Sequence, residues 1–424
     1  MGEIYSGCFA DLGNKVIGID EDAEVVKNLS RAIPPLKEPG LGEILARNIK
    51  KRRLKFSTDY KDISGCDAAW IAMDTPVDEG GKANVKRIFS DIKKSLPYIK
   101  DCAFLIVSSQ LPAGTSAEII KFVKTNRKNF KFSYAYIPEN LRLGDGVASF
   151  TKASRVVIGI DDKSRKDELV RLFKKLKTNI LIVSVASAEM IKHATNAFLA
   201  TSLSFINDIS DVCEKVGADV TEVSRGLKAD ARIGQLAYLE ANTGFSGGHF
   251  ERDLEFLRKV ARSGKITLPV ITSVARKNTE RKKIVFAKIS PLLGKFRGKK
   301  VTFLGLTYKS GTPVIKNSLS IGLAKTALRL GSKINLCDPF INPGEIVSEI
   351  PKGKFSYFAD PYKSAKSSNV IICATPWPGL AKINFTKIAK LMARPKIFFD
   401  SRNYFAEERK DIEKTGIKYI GIGR

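Results

Sequence analysis

Short apolar runs recur along the first half of the chain, at 68–73, 103–108, 133–137, 156–160 and 180–185, and amphipathic segments such as 85–96 and 116–123 lie between them. Strands apolar along their whole length that alternate with helices predict a parallel sheet covered on both faces. The chain enters this series through a helix over 1–12, stopped by Gly13, and a strand over 14–20 that closes in Gly18-Ile19-Asp20. From Ser187 the period lengthens. Met190, Ile191, Ala194, Ala197, Phe198, Ser202, Phe205 and Ile209 keep helical spacing as far as Val216-Gly217, which predicts one long helix with a glycine stop. Further helical segments run to about Leu293, and the basic stretch 295–300 reads as a linker. A second strand-helix series then occupies 301–305, 334–338, 370–375 and 397–400. The expected fold is α/β, with two Rossmann-like parallel sheets joined by a central all-helical domain containing the long helix, divided as 1–186, 187–293 and 294–424.

Composition narrows this picture only modestly. At 424 residues and 43% hydrophobic the chain is long enough for two or three cores. No apolar run reaches the roughly 20 residues of a membrane helix, and no charged-then-apolar leader opens the chain, so a cytoplasmic globular protein is expected. Cys8, Cys66, Cys102, Cys213, Cys337 and Cys373 lack C-x-x-C spacing and mostly sit in apolar runs, which points to buried reduced thiols and to no metal site. The net charge of +28 is compatible with a nucleic-acid, membrane-surface or acidic small-molecule partner. Its lysines are spread along the chain without interleaved aromatics, which favours a solvated basic surface over a nucleic-acid site.

Ligands of open α/β sheets bind beyond the carboxyl ends of the strands. The loops that carry Thr75-Pro76, Ser109-Gln110 and Glu139-Asn140-Leu141-Arg142-Leu143 are therefore expected to face a ligand cleft. The most unusual stretch is Gly244-Phe245-Ser246-Gly247-Gly248-His249-Phe250-Glu251-Arg252-Asp253, where clustered glycines let backbone approach a ligand closely. It resembles the G-F-G-G-x-C-F-x-K-D loop of the UDP-glucose/GDP-mannose dehydrogenases, with His249 at the position of that family's nucleophilic cysteine. The likeness continues in order through Lys192 and Asn196, through Gly305-Leu306-Thr307-Tyr308-Lys309, and through Asp400-Ser401-Arg402-Asn403. Gly2 falls on the third glycine of the G-x-G-x-x-G fingerprint, so the first strand of the dinucleotide unit is expected to be missing, through a misplaced start or a truncated gene.

The resemblance implies an NAD-dependent oxidation of a UDP-linked sugar, such as UDP-glucose or a UDP-N-acetylhexosamine, for glycan precursor synthesis, by a homodimer built on the long helix. Gly2, Asp20, Thr75, Ser109 and Lys316 would hold NAD. Leu141, Arg142, Phe245, Gly247, Tyr308, Lys309 and Arg402 would hold the UDP-sugar. Glu139, Lys192, Asn196, His249 and Asp253 would do the chemistry. Lys192 and Asn196 are four apart and share a helix face, so that a cation and an amide point toward a developing alkoxide; taken alone they read as a surface pair. Asp253 reads both as a support for the loop and as a cap for the following helix, while His193, on another face, reads as structural. His249 reads either as a base of near-neutral pKa or as an inert replacement. The family's second glutamate is Leu143 here, and its loop threonine is Gln110. Without the thiol, oxidation that stops at the carbonyl and a silent nucleotide-sugar-binding protein are the alternatives.

Overall fold

The computed structural model describes residues 1–36, 38–73, 75, 84–142, 144–312 and 314–424; Pro76 and Leu143, singled out above, lie outside them. The chain forms two compact units, Met1–Ala194 and Thr195–Arg424.

In the first unit a helix, Gly2–Asp11, leads into β1 (Val16–Ile19), which pairs in parallel with β2 (Leu54–Ser57) as a separate two-stranded sheet. Five further strands, β3 (Ala68–Ile71), β4 (Ala103–Val107), β5 (Phe132–Tyr136), β6 (Arg155–Ile160) and β7 (Asn179–Val183), make a second sheet in that order. Helices Lys86–Ser95 and Thr115–Asn126 carry the chain back between β3, β4 and β5, which are parallel. The expectation of an all-parallel sheet fails at the next step, because β6 pairs antiparallel with β5. The connection between them holds a loop and a helix of 6 residues, Gly146–Thr151. No described strand joins β1 to β3. Around them the first helix docks through an aromatic cluster in which Phe9 lies 4.6 Å from Trp70 of β3 and 5.1 Å from Phe150, centroid to centroid.

The helix Val185–Val216, 32 residues long, is the long helix that the periodicity predicts. In the second unit it is followed by Val220–Ala229, His249–Ser263 and Pro269–Leu293. A six-stranded sheet follows, from β8 (Lys300–Leu304), β9 (Lys333–Cys337), β10 (Phe355–Phe358), β11 (Val370–Cys373), β12 (Ile397–Asp400) and β13 (Lys418–Ile420), in the order β10-β9-β8-β11-β12-β13. All its pairs are parallel. Alternate strand residues serve opposite cores, Val301, Phe303, Val370 and Ile372 on one face and Leu304, Ile371, Cys373 and Phe398 on the other. The strand order reverses between β8 and β11, where such sheets place a ligand crevice. Gly305, just past β8, has φ +82°, and a Cβ there would stand 1.8 Å from the Thr375 carbonyl oxygen beyond β11. Thr375 Oγ1 also donates to the Thr307 carbonyl at 2.6 Å, so the two lips of the crevice are fastened together.

Candidate active site

The first unit presents three loops beyond β3, β4 and β5. Thr75 follows β3; it is buried, and its hydroxyl has no hydrogen-bond partner among the described residues. Ser109 follows β4 and donates to the Met73 carbonyl at 2.8 Å. The rest of this loop is held from the long helix. Glu189 is 1% exposed and accepts from Gly114 N at 2.7 Å and Ser116 N at 2.9 Å, and the buried His193 ring bonds the Leu111 carbonyl at 3.0 Å. His193 is thus a pin for the loop, as its place in the sequence suggests. After β5, Glu139 Oε1 accepts from Leu141 N, and Lys192 Nζ donates to the Glu139 carbonyl, both at 2.5 Å. Lys192 and Glu139 are therefore brought together, with the ammonium on main chain. Arg142 is exposed.

Asp20 stands exposed just past β1 and accepts from Asp22 N at 3.0 Å, while Asp22 caps the next helix. Gly2 is exposed at the start of the first helix, with open space where a Cβ would be. Beside it Glu3 has a buried, unpartnered Oε2 among the described residues. Burial pushes this carboxyl up, and the charges of Glu38 and Asp20 add to that. An unpartnered threonine hydroxyl, an acidic residue past β1 and an open helix start together fit a dinucleotide.

In the second unit the glycine loop is gripped from below. Asn278 bonds both main-chain groups of Phe245, accepting from N at 2.8 Å and donating to O at 3.1 Å. Arg281, 2% exposed, donates twice to the Asn242 carbonyl at 3.0 and 3.1 Å and pairs with Asp211. Gly247 has φ +91°, a Cβ there would lie 2.6 Å from Tyr308 Cδ2, and its N–H donates to the Asn317 carbonyl at 3.0 Å. The loop is thereby tied to the segment carrying Lys316, which is exposed, and to Tyr308.

His249 is the first residue of the 15-residue helix His249–Ser263 and is exposed. The expectation that Asp253 caps this helix is overturned, because the helix starts at His249 and Asp253 is inside it. Asp253 is 0% exposed and accepts from Asn196 Nδ2, so these two are brought together. Arg252 Nη2 lies 3.3 Å from His249 Nδ1. A guanidinium only donates, so in this contact Nδ1 is the acceptor and a neutral ring carries its proton on Nε2.

Lys309 is exposed past β8, and its carbonyl accepts from the hydroxyls of Thr307 and Thr312, both at 2.9 Å. Arg402 is exposed on a turn organised by Asp400, which accepts from Arg402 N, Phe405 N and the Tyr419 hydroxyl. The Oγ atoms of Ser318, Ser320 and Ser401 are buried and unpartnered among the described residues. No described thiol lies on the glycine loop, and burial pushes Cys8 and Cys337 up to about 12, so neither is a thiolate. Among the described residues no group of three or more His, Cys, Asp and Glu is placed to hold a metal ion. Sequence reasoning passed over Glu38, Glu189, Asn278 and Arg281. Only Glu189 carried a signal, a carboxylate one turn before Lys192 among the small and apolar residues at the start of the long helix.

Residues 1–177 match the NAD binding domain of the UDP-glucose/GDP-mannose dehydrogenase family, 186–280 its central domain and 302–407 its UDP binding domain. A UDP-glucose 6-dehydrogenase of Rickettsia bellii is 32% identical over 100% of this chain and 97% of its own length. One of Bacillus subtilis is 30% identical over 100% of this chain and 91% of its own. The solved structure of a UDP-glucose dehydrogenase from Pyrobaculum islandicum superposes with a TM-score of 0.89 at 27% identity, covering 100% of this chain and 95% of that one. With two Rossmann-like sheets, an intervening long helix carrying Lys192 and Asn196, and a glycine loop at 244–248, the chain belongs to the UDP-glucose/GDP-mannose dehydrogenase family.

Proposed function

We propose that the chain oxidises the hydroxymethyl group of a UDP-linked hexose with NAD, feeding glycan precursor synthesis. The observation that carries this is the engagement of two polar residues four apart on the long helix, Lys192 on the Glu139 loop and Asn196 on Asp253. An ammonium and an amide fixed in this way are preorganised donors for a developing alkoxide. Bound NAD supplies the hydride acceptor. Asp20, Thr75, Ser109 and the Gly2 helix start would hold it, with Lys316 reaching its pyrophosphate as a point charge. Tyr308, Lys309 and Arg402 would hold the UDP part, and Leu141, Arg142, Phe245 and Gly247 the sugar. Three domains at 1–186, 187–293 and 294–424, a cytoplasmic site of action and a homodimer complete the reading. The dimer is supported by an exposed apolar stripe on the long helix, Phe198, Phe205 and Val212.

A second reading, that oxidation stops at the carbonyl, is favoured by the loop. The thiohemiacetal route needs a thiol, and His249 offers an Nε2–H donor to the substrate oxygen. The alcohol then loses one hydride to NAD and one proton to solvent, and an aldehyde is released. Counting NADH against sugar consumed for a panel of UDP-sugars tests both readings. One NADH per sugar is expected, and His249→Ala should lower kcat by about 100-fold. Two NADH per sugar would defeat the second reading while keeping the first. Bound UDP-sugar with no NADH from any member of the panel would leave a binding protein.

A further inference from the structure

Glu38 lies in the connection between helices Ala23–Ser30 and Leu41–Lys50, far in sequence from any residue named for catalysis, and is 7% exposed. Its two carboxylate oxygens are spent on one loop. Oε1 accepts from Gly144 N at 2.6 Å and Oε2 from Gly146 N at 2.8 Å. Those N–H groups belong to the end of the loop after β5 and to the first turn of helix Gly146–Thr151. That helix has Asp145 at its N-cap position, yet the Asp145 side chain makes no capping bond. A carboxylate from another part of the chain therefore does the work that a local cap ordinarily does. Gly146 is what admits it. A Cβ there would meet Ile4 Cδ1 at 2.5 Å and the Glu38 carboxyl at 3.4 Å.

The loop so fastened begins at Glu139, where Lys192 holds the carbonyl, and runs through Leu141 and Arg142. It is pinned at its start by a cation and at its end by an anion, and inside it Asp145 N bonds the Arg142 carbonyl at 2.9 Å. The same device recurs where Glu189 accepts two N–H groups at the end of the β4 loop.

We propose that Glu38 is a positioning residue that sets the placement of Glu139, Leu141 and Arg142 toward the sugar by clamping Gly144 and Gly146. The assignment rests on the reading that this loop meets the substrate. A carboxylate suits the task because it only accepts, so it satisfies two converging N–H groups at once, whereas an amide of the same shape offers one acceptor and turns a donor against the second N–H.

The test is steady-state kinetics of Glu38→Gln and Glu38→Asp beside the unaltered chain, with backbone hydrogen exchange of each read by mass spectrometry. Misplacing the loop by about 1 Å should lower kcat/KM for UDP-glucose by about 100-fold in Glu38→Gln. The KM for NAD should stay within about twofold, and Glu38→Asp, which keeps both acceptors, should recover part of the loss. Exchange over 140–147 should quicken in Glu38→Gln while that of helix Thr115–Asn126 is unchanged. Unchanged kcat/KM, or a KM for NAD that rises in step with the loss, overturns the assignment. If the unaltered chain makes no NADH from UDP-sugars, the functional reading fails. Exchange alone then decides whether Glu38 clamps the loop, and equal exchange over 140–147 in Glu38→Gln and the unaltered chain refutes it.

Discussion

Gly247 shows how much a single side-chain hydrogen settles at the loop. Its φ of +91° disfavours any L side chain, and its missing Cβ leaves room for the Tyr308 ring at what would be 2.6 Å. Gly248 next to it has φ +88°, but a Cβ there would approach only Asn317 Nδ2, at 3.3 Å. The two alanine substitutions therefore share the backbone strain, about 1 kcal/mol or more, and differ in the clash. Gly247→Ala should lower the thermal midpoint by several degrees more than Gly248→Ala, and Tyr308→Ala in the same chain should close most of that gap. Equal losses in both single variants would show that the ring does not need the space. The contrast was legible only in part beforehand. The glycine cluster marks a close approach, but nothing in its letters says that the approaching group is Tyr308, some sixty residues on, because no local rule pairs them.

At the level of elements, helix Pro269–Leu293 is joined to the long helix by ions. Lys277 meets Asp208 at 2.6 Å and Asp211 at 2.7 Å, Arg281 meets Asp211, and Lys288 meets Glu214. Burial alone would push the Asp211 carboxyl up, but Lys277 and Arg281 outweigh it and hold it below the ordinary 3.8. A folded value below the unfolded one contributes stability above about pH 4 that is lost as pH falls through the folded value. Asp211→Asn should therefore show a smaller fall in thermal midpoint between pH 5 and pH 3 than the unaltered chain, followed by circular dichroism. An identical fall in both would mean that the pairing is screened at this 41% exposed carboxylate. Most elements could be read from the sequence because their apolar residues keep strict periods: the long helix, β3 to β7, and β8, β9, β11 and β12. The strands missed were β2, with four residues in a basic stretch, the edge strand β10, whose residues are half-buried or exposed, and β13, with three residues. The reversal at β6 escaped because strand direction depends on where a connection packs, which periodicity does not report. Asp253 reads as a cap before its helix because three glycines and a histidine look like loop, while the helix starts at the histidine and has His249, Glu251 and Arg252 in its first turn.

Over the whole molecule the sequence supplied the sign of the charge but not its place. In the second sheet Lys300, Lys333, Lys354, Lys396 and Lys418 stand at or just before the starts of β8, β9, β10, β12 and β13, while Asp338 and Asp400 stand at the ends of β9 and β12. The lysines thus gather at the edge opposite the crevice. The apolar surface is arranged differently. Phe198, Phe205 and Val212 are 71%, 48% and 57% exposed and recur every seven residues along the long helix. A straight helix drifts only about 20° per seven residues, so the three remain on one face. A row of large apolar side chains on a long helix is the surface expected to meet a second copy of itself across a two-fold axis. Phe198→Ser with Phe205→Ser removes four rings from such a pair. At roughly 1.5 kcal/mol per ring, the dissociation constant should rise by about four powers of ten. Light scattering behind size-exclusion chromatography should then give twice 46.7 kDa for the unaltered chain and 46.7 kDa for the double variant. The far-ultraviolet spectrum should not change, since both rings already face outward. A variant that keeps the doubled mass would place the interface elsewhere, and a monomeric unaltered chain would leave the stripe without a partner of its own kind.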